Sequence, residues 1–138
     1  MLGIWQPGEM TGFGVQGTNA YGWGELNARG VASAVPFYEA TFGWTHRTSP
    51  MGEGRTYTEF LDGEESLLGA FEMTPQMPAQ VPNHWLVYFA VDDVAAVHDA
   101  AVAAGGASLM PATPFPSGTF AVLADPLGGT FGLLHMAG

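Results

Sequence analysis

Short stretches of period two and two stretches of period near 3.6 alternate along the chain, and their order repeats. Residues 21–28, YGWGELNA, put Trp23, Glu25 and Asn27 on one side and Leu26 and Ala28 on the other, as a strand does. Residues 31–42, VASAVPFYEATF, place Ala34, Val35, Tyr38 and Phe42 on one helical stripe, with Gly43 as the stop. Pro36 has no N–H to give a helix, so the regular helix is expected to start near Ser33. Strand patterns follow at 44–49, 55–61 and 66–73, with Met51–Gly54 and Asp62-Gly63 as the hairpin loops. The proline-rich, aperiodic TPQMPAQVP at 74–82 reads as a connection.

The same order then recurs. HWLVYFAV at 84–91 is a strongly apolar strand, and DDVAAVHDAAVAAGG supplies an acidic helix start, an Ala/Val-rich body and a glycine stop. ASLM, TFAVLA and TFGLLHM are three further strands, the last two separated by the turn Asp125–Gly129. Each half reads βαβββ, which makes the chain an α+β domain with an internal repeat of about sixty residues. The two ends also echo one another: MLGIWQPGE at the start resembles TFGLLHMAG at the finish.

Composition narrows the field of functions. With 47% apolar and 12% charged residues over 138 positions, the chain is expected to bury a core as one domain. Arg29, Arg47 and Arg55 are its only Lys or Arg residues against thirteen carboxylates, giving a formal charge of -10. Such a surface repels phosphate backbones and anionic lipid, so neither nucleic acid nor a membrane is an expected partner. A neutral or cationic small molecule is. Cysteine is absent, which removes disulfide and thiol chemistry. No stretch reads as a membrane span or a secretory signal, and a cytoplasmic location is expected.

The paired βαβββ pattern resembles the vicinal oxygen chelate superfamily of glyoxalase I, bleomycin-resistance proteins and extradiol dioxygenases. The residues that carry the resemblance are FYEATFGW closing the first helix, VYFAVDDV leading into the second and VLADPLGGTFGLL at the end. It covers residues 20–136 and implies two modules, 20–73 and 84–136, forming a curved mixed sheet around a cup with the helices outside. WGEL and HWLVYFAVDDV further resemble the second module of actinobacterial two-module glyoxalase-like proteins. There a strand ending in IWQPGE and a glycine-rich linker join the modules. Residues 1–19 then read as a leftover N-terminal strand and linker, an extra strand whose Ile4 and Trp5 are expected to be buried on this chain or on a partner.

Enzymatic members of that superfamily hold a divalent metal with His, Glu or Gln from the first, fourth, fifth and eighth strands. On this chain the first, fifth and eighth positions fall at Trp23, Leu86 and Gly132, so the usual metal site is expected to be missing. A set shifted by one pleat, His84 and Glu25 with Glu72, keeps open a metal-dependent lyase, isomerase or dioxygenase. Glu25 beside Trp23 is also a candidate general acid or base, because an apolar wall disfavours a carboxylate's ionisation. His46, His98 and His135 read as surface residues. Without metal or another cofactor, the expected role is binding or sequestration of a flat apolar, aromatic or weakly cationic molecule by a homodimer. The expected lining is Trp23, Glu25, Asn27, His84, Leu86, Tyr88, Thr130 and Leu134.

Overall fold

The period-two stretches become eight strands and the two 3.6-period stretches become helices in a computed structural model that describes residues 2–9 and 17–138. In chain order the elements are β1 (Tyr21–Ala28), α1 (Val31–Phe42), β2 (Thr45–Gly52), β3 (Arg55–Asp62), β4 (Glu65–Glu72), β5 (His84–Ala90), α2 (Val94–Ala103), β6 (Ala107–Phe115), β7 (Gly118–Ala124) and β8 (Thr130–Met136). They form two compact units, Gly24–Leu86 and Met1–Trp23 with Val87–Gly138.

In the unit Gly24–Leu86 the strand order is β2-β3-β4-β1, with β1 and β4 parallel and the other pairs antiparallel. Leu26, Ala28, Phe60 and Ala70 of the sheet pack against Val31 and Val35 of α1. The Tyr38 ring lies among Phe42, Trp44, Phe60 and Trp85, and its hydroxyl accepts a hydrogen bond from Trp85 Nε1 at 3.1 Å. Aromatic rings at these separations add to the area they bury.

The other unit repeats the plan as β5-β8-β7-β6, with β5 and β8 parallel. Its core is Val91 and Val94 against Ala121, Leu123 and Leu133. Helix α2 starts at Asp93, whose carboxylate accepts from the Ala96 N–H at 2.9 Å, an ordinary side-chain cap. Helix α1 starts at Gly30 (φ 91°), which has no side chain to cap with. The Glu72 carboxylate replaces it across the unit, accepting from the N–H groups of Gly30 and Val31 at 2.8 Å each. Strands β2 and β6 stand at the ends of these orders and carry Pro50, Pro111 and Pro114, residues that offer no N–H to an added strand.

Three expectations need correction. Helix α1 begins at Val31, not near Ser33: Ser33 and Ala34 donate to the Gly30 carbonyl, and Pro36 forfeits one backbone bond within the helix. Strand β6 runs past ASLM to Phe115, because register shifts between Ser108 and Thr113 let an edge strand absorb its prolines. Residues 2–9 form no strand, and Ile4 and Trp5 are 79% and 58% exposed. A strand exists only where another backbone pairs with it, and no ladder holds this segment. The glycine-rich linker at 10–16 lies outside the described residues. Among the described residues no helix is long and apolar enough to cross a membrane.

Candidate functional site

Each sheet has a face turned away from its helix, and the expected site residues belong to those faces. In the unit Gly24–Leu86, strand alternation opposes Glu25 and Asn27 to the core residues Leu26 and Ala28. Register sets Glu59, Gly69 and Glu25 in one row across β3, β4 and β1, and Tyr57, Phe71 and Asn27 in the next. Glu25 and Asn27 are only 9% and 6% exposed, so burial makes hydrogen bonds obligatory for them. Tyr57 reaches across the row to donate its hydroxyl to Glu25 Oε2 at 2.7 Å, and Asn27 Nδ2 donates to Glu25 Oε1 at 3.2 Å.

Beside this trio, the Arg47 guanidinium donates to Glu59 Oε2 at 2.8 and 3.1 Å, and Ser66 Oγ donates to Glu59 Oε1 at 2.8 Å. Burial pulls the Glu59 carboxyl upward. The hydrogen bonds from Arg47 and Ser66, with the Arg47 charge, outweigh that and leave it below its ordinary value. The Arg55 guanidinium lies 5.9 Å from the centre of the Phe71 ring.

The corresponding face of the other unit has different chemistry. Tyr88, Gly132, Leu134, Val122 and Phe120 share it by register. The Tyr88 ring occupies the space beside Gly132: a methyl group placed there would stand 2.7 Å from Cγ and nearer still to Cδ1 and Cε1. A side chain at position 132, where the resemblance puts an eighth-strand metal ligand, would therefore require the Tyr88 ring to move. Leu134 lines an open cleft of about 230 Å³ with Thr18, Gly22, Ala90, Asp92 and His135. Trp23 is half-buried and Thr130 is exposed at the start of β8.

The alternative metal set is not assembled. Glu72 is engaged at the start of α1, Glu25 is held by Tyr57 and Asn27, and His84 Nδ1 donates to the Pro82 carbonyl at 2.8 Å. Among the described residues no three His, Asp or Glu side chains gather closely enough to hold a metal ion. At the fifth-strand position, Leu86 is 3% exposed, an apolar core side chain where a donor would be needed. Leu86 and Gly132 thus supply no donor atom at the fifth- and eighth-strand positions.

Of the other histidines, His46 lies at the surface, paired with Glu39 at 2.6 Å, and exposed His135 donates from Nδ1 to the Val91 carbonyl. His98 is not solvent-facing as expected: its side chain is largely buried and its Nε2 lies 2.8 Å from Ser108 Oγ, tying α2 to β6. The contribution of Tyr57 was missed. The alternation of RTYTEFL places Tyr57 and Glu59 on one side, but no sequence signal reports which residue faces Tyr57 two strands away.

The Glyoxalase/Bleomycin resistance protein/Dioxygenase superfamily model matches residues 20–133. The chain belongs to this superfamily. CFP32 of Mycobacterium tuberculosis, which carries the name of a glyoxylase, is 41% identical over 138 residues, 99% of this chain and 52% of the relative. The anthracycline biosynthesis protein DnrV of Streptomyces peucetius is 32% identical over 134 residues, 96% of this chain and 48% of the relative. The chain thus spans about half the length of the curated relatives it matches. A Streptomyces coelicolor methylmalonyl-CoA epimerase aligns with a TM-score of 0.63 at 18% identity, over 88% of this chain and 100% of that one, a likeness of superfamily fold alone.

Proposed function

We propose that this superfamily member binds or sequesters a small flat apolar or aromatic molecule without a metal ion, and does so as a cytoplasmic homodimer. The observation that carries the metal-free part is the Tyr88 ring filling the space beside Gly132. A carboxylate at position 132 needs that volume, and Leu86 offers no donor atom. The proposed contacts are Glu25, Asn27, His84 and Leu86 in the unit Gly24–Leu86, and Trp23, Tyr88, Thr130 and Leu134 in the other unit. Buried aromatic and aliphatic surface with a few fixed polar groups suits a flat ligand. The 32% identity to a protein named for anthracycline biosynthesis supports a fused-ring aromatic as the ligand class. Against the metal-dependent alternative with His84, Glu25 and Glu72, Glu72 is engaged at the start of α1 and Glu25 is held by Tyr57 and Asn27.

Elemental analysis and metal titration of the purified protein test the reading, with the His84→Ala variant as control. No stoichiometric metal under any loading is expected. A stoichiometric metal that His84→Ala loses overturns it. Sedimentation of the same sample checks the dimer.

A further inference from the structure

Three polar side chains outside the proposed binding contacts meet where α2 packs on β6. His98 Nε2 lies 2.8 Å from Ser108 Oγ, and His98 Nδ1 lies 3.0 Å from Asp99 Oδ1. Asp99 is a solvent-exposed carboxylate, so it accepts and Nδ1 carries the ring hydrogen. In the neutral imidazole Nε2 is then the acceptor, and Ser108 donates its hydroxyl to it. The His98 side chain is 13% exposed whereas Ser108 is exposed, which shields the base and leaves the hydroxyl open to a reactant. Ser108 is in register with the core residue Leu123, and the next pair is Met110 with Val122. Leu109 is thus the extra residue of a bulge, a device that re-aims a neighbouring side chain. Leu109 beside Ser108, and Val102 one turn after His98, are exposed apolar surface for a substrate.

We propose that Ser108 and His98 form an acyl-transfer site for small neutral carboxylic esters, with Ser108 as nucleophile, His98 as general base and Asp99 as a positioning residue. Ser108 Oγ bonds to the ester carbonyl carbon while its hydrogen passes to His98 Nε2. The bond from that carbon to the alcohol oxygen breaks, and His98 gives the hydrogen to the departing oxygen. Water then releases the acid from Ser108 by the same exchange. The formal charge of -10 disfavours anionic esters. None of the proposed ligand contacts takes part, so the binding role and this site stand or fall separately.

Diisopropyl fluorophosphate tests the site on the full chain. Ser108 Oγ displaces fluoride at phosphorus, so one adduct per chain is expected, placed on Ser108 by peptide mass spectrometry. The native rate is expected to exceed by at least about 100-fold that of the same chain unfolded in urea, where His98 no longer meets Ser108. Ser108→Ala is expected to remove the adduct and, with it, hydrolysis of para-nitrophenyl acetate. Asp99→Asn is expected to slow labelling about tenfold, and Asp99→Glu to recover most of the rate, as orientation of the imidazole by a carboxylate requires. A native chain that stays unlabelled, an adduct on a residue other than Ser108, or equal native and unfolded rates overturns the proposal. Labelling of Asp99→Asn at the wild-type rate overturns the part given to Asp99.

Discussion

The face of the unit Gly24–Leu86 that turns away from α1 carries Glu25, Asn27, Tyr57, Glu59 and Arg47. The matching face of the other unit carries Tyr88, Gly132, Leu134, Val122 and Phe120. The helix-side faces agree: Leu26, Phe60 and Ala70 in one unit, Ala121, Leu123 and Leu133 in the other. A repeated βαβββ plan fixes only the alternation that feeds its core, because core volume is what packing penalises. The opposite face is free to diverge, and here one copy became a hydrogen-bonded polar network and the other an apolar surface with a ring in place of a side chain.

The largest effects test whether the helix-side cores are equivalent. Phe60→Ala is expected to cost about 4 kcal/mol and Leu123→Ala about 3 kcal/mol, read by urea denaturation, since both side chains are fully buried. The two costs should add, as expected for separate cores. A Leu123→Ala cost well above that of Phe60→Ala would reverse the ranking drawn from the aromatic cluster around Tyr38.

Next comes the pair that defines the apolar face. Gly132→Ala is expected to destabilise by about 3 kcal/mol through overpacking against Tyr88. In a Tyr88→Ala background the same change should cost less than about 0.5 kcal/mol, and a double-mutant cycle measures the difference. Equal costs in both backgrounds would show that Tyr88 does not fill that space.

Smaller again is the contrast between helix starts. Glu72→Gln and Asp93→Ala are each expected to lower the melting free energy by about 1 kcal/mol. The Glu72 change should act on α1 alone, which hydrogen exchange at Ser33 and Ala34 can follow.

The smallest is the Glu59 pair, worth less than about 1 kcal/mol because Arg47 is largely exposed. The folded-state value of Glu59 is lowered, so its stabilisation is complete above the ordinary carboxylate range. It is lost as pH falls through the lowered value. Denaturation from neutral pH into the acid range, with Glu59→Gln as the flat control, reads this slope.

Periodicity made most of the fold legible, because alternation and the 3.6-residue stripe are properties of single segments: β1, β8 and the Asp93 start of α2 follow from local pattern. That Leu86 and Gly132 stand at expected ligand positions followed from the superfamily resemblance, not from periodicity. What stayed hidden depends on residues far apart in sequence. Glu72 caps α1 because Gly30 cannot, a link across 42 positions. Tyr57 meets Glu25 only through a register across β4, and His98 is buried by a strand that follows it. Ile4 and Trp5 form no strand on this chain, since an apolar motif alone does not fix which backbone pairs with it.

The Tyr88–Gly132 contact also constrains how this sequence can change. Installing a carboxylate at 132 first overcrowds the ring, while trimming Tyr88 first leaves a ring-sized hole. Each single step passes through a weakened protein, so the two positions are epistatic and a larger residue at 132 is expected only together with a smaller one at 88.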